Sequence, residues 1–404
     1  MRRKYFILFL ALVIIINPVL AYGEDNLENG KTYSLSDLSD GLRSYLLADY
    51  ETGEILEEYN IDEAVEIASI SKLMSFLIIM EKVEEGIISL DDVVKIDKDT
   101  TKIKGSSFKL KEGEEFTVKE LLDAAIVISG NDATYALAKY VAGTEEEFVK
   151  LMNEKAKELG FNNAVFYNST GLPVNGSDVQ NKMTTREIFK LSQYIIEHYP
   201  IILDICKIKA IEVKERDFFQ INTNPLLYEI KEVDGLKTGF TNKAGYCYVS
   251  TFKIDGIEGQ TKDLRLIAIV MGAKDLLERN QMAKVLVEYG INHFSKKVIL
   301  DKNVPLETLY FPKGDITETY VYPEEEFSKL IRKGTDITID LDLDDIALPL
   351  KANTKVGKAY VKEDGKTIFE TSILVKEDVN KAKWYVLVWR FIKTLFERLS
   401  LKFA

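Results

Sequence analysis

The period of the hydrophobic pattern changes several times along the chain. Arg2, Arg3 and Lys4 precede an apolar run over residues 5–16, followed by Pro18 and a small-residue site ending at Ala21. The run is shorter than the ~20 apolar residues of a membrane span. It predicts a cleavable secretory leader over residues 1–21, an uncleaved anchor being the alternative. Residues 42–59 alternate as a hairpin that turns at Glu51-Thr52-Gly53. A helix-period segment follows over about 70–85, with Leu73, Met74, Leu77, Ile78 and Met80 on its buried side, Ser69 at its start and Gly86 as its stop. Thr117 with Glu120 and Thr144 with Glu147 form capping patterns that open two further helices. The first ends at Ser129-Gly130-Asn131, with another helix restarting at Asp132 or Ala133; Gly160 closes the second, and Thr184 or Thr185 starts a helix to about His198.

Beyond Pro200 the period drops to two over residues 207–213, 245–252 and 264–271, before a last helix over about 276–289. Helices flanked by strands on both sides predict an α+β domain over residues 22–294, with an antiparallel sheet built from the first hairpin and the later strands. Over residues 295–380 the strands shorten, separated by Pro312-Lys313-Gly314, Lys333-Gly334 and Glu363-Asp364-Gly365, which predicts a small all-β domain. Residues 381–404 return to a helical period. Trp384, Leu387, Val388, Phe391, Ile392, Leu395 and Leu399 share one face, and Arg390, Lys393, Glu397 and Ser400 take the other. Recurrent charges leave no stretch long enough to span a bilayer, so this helix is expected to lie in a membrane interface, with Trp384, Trp389 and Phe391 as anchors. The alternative is a helix packed on the β domain.

Charge sharpens this picture. The formal net charge is −12, which argues against phosphate-backbone binding and hence against a nucleic-acid partner. The basic residues of the leader and tail mean that the body between them is more acidic still, a polarity suited to attaching the tail to an anionic membrane surface. There are only two histidines, His198 and His293, which leaves almost no ligands for a zinc site of the usual type and disfavours a His-dependent serine triad; no metal or cofactor is expected. Cys206 and Cys247 read as small core residues rather than an obligatory disulfide.

Ser69-Ile70-Ser71-Lys72 puts a hydroxyl and an amine three positions apart at a helix start, on one face. Alone it is weak: Ser106 to Lys109 repeats the spacing, although in a stretch that reads as extended, where the two side chains diverge. Ser129-Gly130-Asn131 between two helices can present a hydroxyl and an amide to a cleft. Lys237-Thr238-Gly239, expected at a strand start, can offer a cation and a hydroxyl to a carboxylate while Gly239 lets a ligand approach the backbone. The ordered set of three is far more specific than any one of them.

With these motifs, and with residues 45–59, 68–134, 168–173, 233–249 and 267–273 followed by Arg279, nearly the whole chain resembles the D-alanyl-D-alanine carboxypeptidases, the low-molecular-weight penicillin-binding serine peptidases. The resemblance implies a penicillin-binding, β-lactamase-like catalytic domain, a small β domain and a C-terminal amphipathic anchor. One departure is Lys182-Met183-Thr184-Thr185, where the family often has His-x-Ser-Thr. Residues and resemblance together suggest that Ser69 attacks the penultimate D-alanine carbonyl of a peptidoglycan stem peptide. Lys72 is then the neutral general base and Lys237 stays charged. The backbone N–H groups of Ser69 and Phe240 would form the oxyanion hole, and Ser129 would relay a proton to the leaving amine. Asn131 would hold the acyl-side amide; Lys237 and Thr238, with Arg279, would bind the terminal carboxylate. β-Lactams should acylate Ser69 in the same way. Two rivals share part of this pattern. A class A β-lactamase needs an E-x-x-L-N loop, which is not found between Asn131 and Lys237, and a penicillin-sensing domain needs a signalling span.

Overall fold

In a computed structural model of the chain, residues 33–174 and 177–403 are described, with side chains as far as residue 396. The expected leader lies outside them. Five antiparallel strands form the central sheet: β1 (Ser44–Asp49), β2 (Ile55–Tyr59), β3 (Val233–Thr241), β4 (Gly245–Ile254) and β5 (Leu264–Ala273), in the order β2-β1-β5-β4-β3. The first hairpin thus joins the late strands, as the alternating pattern predicts. β1 is buried along its whole length because helices cover the sheet, and a strand so placed loses the alternation of a half-exposed one.

The helical layer comprises α1 (Lys72–Glu84), α2 (Val118–Val127), α3 (Asn131–Ala142), α4 (Glu145–Glu158), α5 (Thr185–His198) and α6 (Leu276–His293). The Thr117–Glu120 capping box forms, Thr144 accepts from the Glu147 N–H, and Thr184 with Glu187 makes a second reciprocal box at α5. The sequence predicts α1 as amphipathic; in the structure every residue from Lys72 to Met80 is buried. Phe76 and Ile79 therefore join the core, and α1 is a central helix surrounded by its neighbours. Two expectations change. The strand expected over residues 207–213 is limited to Ala210–Val213, and a short helix, Ile201–Cys206, precedes it. Lys237-Thr238-Gly239, expected at a strand start, sits in the middle of the nine-residue β3, an edge strand.

Helix α6 ends at His293, and β6 (Phe294–Leu300) follows without a linker. β6 pairs with Thr261–Lys262 on one side and with the later strand Phe327–Arg332 on the other, so a three-stranded sheet joins the two parts of the chain. Beyond it, β7 (Glu307–Tyr310), β8 (Glu318–Pro323), β9 (Phe327–Arg332), β10 (Ile337–Leu343), β11 (Lys355–Glu363) and β12 (Lys366–Val375) include a second five-stranded sheet, ordered β7-β8-β12-β11-β10 around Val321, Val356, Ile373 and Val375. The chain closes with α7 (Trp384–Phe403).

Candidate active site

Ser69 lies in a single 3-10 turn, Ala68–Ser71, that leads directly into α1. Ala68 is held at φ +46, a conformation L-residues rarely adopt, and strain of this kind persists only where the surroundings over-determine it. Here they do: Ser71 Oγ donates to Ala68 O at 2.7 Å and accepts from Asn181 Nδ2 at 2.9 Å. A Cβ on Gly171 would lie 1.8 Å from Ala68 O, so the Gly171 turn can press on the strained residue only because it lacks a side chain. Ser69 itself remains partly exposed while its neighbours Ala68, Ile70 and Ser71 are buried.

Lys72, one helical step on, is 1% exposed. Its Nζ lies 3.0 Å from Ser69 Oγ, 2.6 Å from Asn131 Oδ1 and 2.9 Å from Thr170 O. Burial first, and the charge of Lys237 second, push its pKa well below the ordinary lysine value, with Asp132 opposing. A neutral amine has two protons and one lone pair. The two carbonyl oxygens account for both protons, which leaves the lone pair for the Ser69 hydroxyl.

Asn131 opens α3 and is fastened at three points. Its backbone N–H donates to Ser106 O at 2.8 Å, its Nδ2 to Lys104 O at 2.8 Å, and its Oδ1 accepts from Lys72. The expected role of holding a substrate amide therefore meets a side chain whose two polar atoms already have protein partners. Ser129, buried at φ +61, is the left-handed residue that stops α2, and the Gly130 N–H reaches back to Ala124 O at 3.0 Å. The turn between α2 and α3 is thus a helix stop and a site element at once.

On the other side, β3 runs against the nucleophile turn. A Cβ at Gly239 would sit 3.1 Å from Ser69 N and 3.2 Å from Ile67 O, so glycine permits this approach. Thr238 Oγ1 donates to Thr223 Oγ1 at 2.9 Å. Phe240 is 47% exposed and stacks on Tyr246, ring centroids 4.1 Å apart. Lys237 is buried, its Nζ donating to Thr238 O at 3.1 Å, and burial lowers its pKa to about 7, with Cys206 raising and Arg279 lowering it. Without an anion beside it, the charge expected on Lys237 is therefore lost as pH rises through about 7. Arg279, on α6, is also buried, donates to Asn280 Oδ1 and lies 6.0 Å from the centre of the Tyr248 ring. Two buried cationic side chains with mutual repulsion favour an incoming anion.

Several contributors are not legible in the motifs. The Thr170 carbonyl is aimed by Asn168, whose Oδ1 accepts from the Thr170 and Gly171 N–H groups at 3.2 and 2.7 Å. Asp132 carries the loop beside Asn131, accepting from Ser107 Oγ, Phe108 N and Leu110 N. Ser106 of the second Ser-x-x-Lys thus serves through its carbonyl, with Lys109 in the left-handed region. Arg216, from the turn after Ala210–Val213, clamps the same loop. It donates to Phe108 O at 3.1 Å and to Lys109 O, and its guanidinium lies 4.9 to 5.8 Å from the ring centres of Phe108, Phe116 and Phe218. Nothing in the sequence around a lone arginine on a hairpin signals this. Arg216→Ala should lose about 1–3 kcal/mol of local stability and loosen Asn131. Faster amide exchange over residues 104–110, with a slowed acylation rate but unchanged secondary structure, would be the readout.

Residues 34–275 match the family model described as D-alanyl-D-alanine carboxypeptidase, and residues 294–381 match that of the penicillin-binding protein 5 C-terminal domain. The chain is 30% identical over 397 residues to the D-alanyl-D-alanine carboxypeptidase DacF of Bacillus subtilis, covering 96% of this chain and 98% of that protein. It is 32% identical to the carboxypeptidase DacC of Escherichia coli over 88% of each. Among solved structures, penicillin-binding protein 5 of Haemophilus influenzae superposes with a TM-score of 0.62 at 28% identity, over 84% of this chain and 98% of that one. Penicillin-binding protein D2 of Listeria monocytogenes, in its ampicillin-bound form, superposes at 0.56 with 29% identity over 65% of this chain and 100% of that one. A strained serine turn, a buried lysine beside it and a second lysine on the facing edge strand, in a chain that the family model matches over residues 34–275, place it in the D-alanyl-D-alanine carboxypeptidase family of penicillin-binding serine peptidases.

Proposed function

We propose that the chain removes the terminal D-alanine from peptidoglycan pentapeptide stems through an acyl-enzyme on Ser69. The observation that carries this is the buried Lys72, 3.0 Å from Ser69 Oγ, with Asn131 Oδ1 and Thr170 O as its other partners. Ser69 attacks the penultimate D-alanine carbonyl as its proton passes to Lys72. The Ser69 and Phe240 N–H groups hold the developing oxyanion, worth about 3 kcal/mol for one such donor. As the amide C–N bond breaks, Ser129 relays the proton that Lys72 took from Ser69 to the leaving amine, and water then hydrolyses the acyl-enzyme to free Ser69. Lys237, Thr238 and Arg279 receive the terminal carboxylate, whose charge raises the Lys237 pKa and keeps that side chain cationic while substrate is bound. Asn131 holds Lys72 and, through the remaining lone pair of its Oδ1, has capacity to meet the acyl-side amide. β-Lactams, presenting a carboxylate and a strained amide to the same groups, acylate Ser69. Incubation with diacetyl-Lys-D-Ala-D-Ala and with a fluorescent penicillin tests the reading. D-Alanine release with slow turnover of the label supports it, and rapid penicillin hydrolysis overturns it.

The protein acts outside the cytoplasmic membrane, held to its outer face by α7. No helix among the described residues is long and apolar enough to cross a membrane. Trp384, Trp389 and Phe391 are 76%, 67% and 70% exposed on α7, an aromatic display that fits insertion into a headgroup layer. Deleting residues 381–404 is expected to move activity from the membrane to the soluble fraction with its rate on the soluble peptide unchanged. Retention on the membrane would refute this.

A further inference from the structure

The apolar face of α7 does not stop at its first turn. Arg390, on the polar side of the helix, donates to Gly314 O at 2.7 Å and Asp315 O at 2.8 Å, while Ala382 N donates to Lys313 O at 2.9 Å, so the root of the helix is fixed to the β domain. Beneath that root is a cavity of about 600 Å³, within the roughly 300–1,000 Å³ range of pockets that hold small ligands. Its domain side is formed by Phe311, Ile346 and Leu348, which pack on the β-domain core but stay partly exposed, and its helix side by Leu387. Two exposed lysines, Lys313 and Lys381, also line it and have no ion-pair partner among the described residues. They are held on adjacent segments by the bridge between Gly314 and Lys381.

Leu387 lies between two parts of the helix surface: the Arg390 side that faces the β domain and the stripe of Trp384, Val388, Phe391 and Leu395, all exposed. An apolar hollow with two cations lining it, opening beside an exposed apolar stripe, matches one chemistry: a hydrocarbon chain joined to an anionic headgroup. We propose that this cavity binds one anionic phospholipid of the membrane, its acyl chain against Phe311, Ile346, Leu348 and Leu387 and its phosphate between Lys313 and Lys381. This rests on the reading of α7 as a membrane helix and adds a defined lipid site to it. The β domain is then a second membrane-contacting part, and the lipid fixes the angle between helix and body.

The test uses the full chain and vesicles of phosphatidylcholine doped with phosphatidylglycerol whose acyl chain carries a photoactivatable diazirine. Crosslinks are mapped by mass spectrometry. Adducts are expected in two places, the apolar stripe of α7 and the segments around Phe311 and Ile346. Ala347→Phe, which adds bulk at a residue lining the cavity, should lower the second set at least tenfold and leave the first. Lys313→Ala with Lys381→Ala should remove the preference of the second set for phosphatidylglycerol over an equally labelled phosphatidylcholine. Penicillin labelling at Ser69 reports that each variant is folded. Adducts confined to α7, or equal cavity labelling by both lipids in the unsubstituted protein, overturn the lipid site while the membrane helix stands. Protein that stays in the supernatant without adducts overturns both.

Discussion

Replacing Ser69 with alanine is expected to abolish covalent penicillin labelling and to lower D-alanine release by about 10⁴-fold or more, the scale seen when a serine enzyme loses its nucleophile. Mass spectrometry of the penicillin-treated protein and a D-alanine assay on the dipeptide substrate measure the two effects. The prediction is sharp because alternative nucleophiles are poorly placed. Ser71 Oγ is committed to Ala68 O and Asn181 Nδ2. Ser129 is buried at the end of α2. Ser69→Ala keeps the strained turn, since neither Ala68 nor the Gly171 packing depends on the Ser69 hydroxyl, so binding of a non-covalent substrate analogue should survive. Residual acylation at wild-type rate would move the nucleophile elsewhere.

How much of this was legible beforehand follows from the range of the forces involved. The nucleophile and its lysine lie one helical step apart, so local periodicity places Ser69 and Lys72 on one face before any tertiary contact is known. The caps expected at Thr117 and Thr144 are equally local: the first forms its full box, and at the second Thr144 accepts from the Glu147 N–H. The central position of Lys237 in β3 was not legible. A strand start at Lys237 leaves out Asp234, which is drawn into the sheet by two 2.7 Å hydrogen bonds from Arg265 on β5, a partner 31 positions away. The all-round burial of α1 was missed for a related reason: Ser75 looks like a polar face, but its Oγ donates to Ser169 O at 2.6 Å and is satisfied inside the core. Arg216 is the extreme case. Its role depends on three phenylalanines from separate segments converging on one guanidinium, and no spacing encodes that.

The second large effect concerns the two lysines and has a sign. Lys72 must be neutral to accept the Ser69 proton, and burial with the Lys237 charge lowers its pKa; activity should therefore fall on the acid side as Lys72 becomes protonated. Lys237 must be charged to receive a carboxylate, and in the free protein its pKa is lowered to about 7. Since kcat/KM reports the free enzyme, kcat/KM for a peptide ending in a carboxylate should decline as pH rises through about 7. The kcat profile should hold to higher pH, because the bound carboxylate raises the Lys237 pKa. Lys237→Arg, charged at every accessible pH, should remove the alkaline limb of kcat/KM even if its absolute value drops. A substrate with a neutral C-terminal amide should lack that limb in the unsubstituted protein. Lys72→Arg is the converse: it fixes a positive charge where a neutral amine is needed and cannot supply a lone pair. Acylation by penicillin should slow by about 10²–10⁴-fold, the usual contribution of a general base, with no acid limb left to measure. Retention of the wild-type acid limb in Lys72→Arg would assign that titration to another group and remove Lys72 from the proton path.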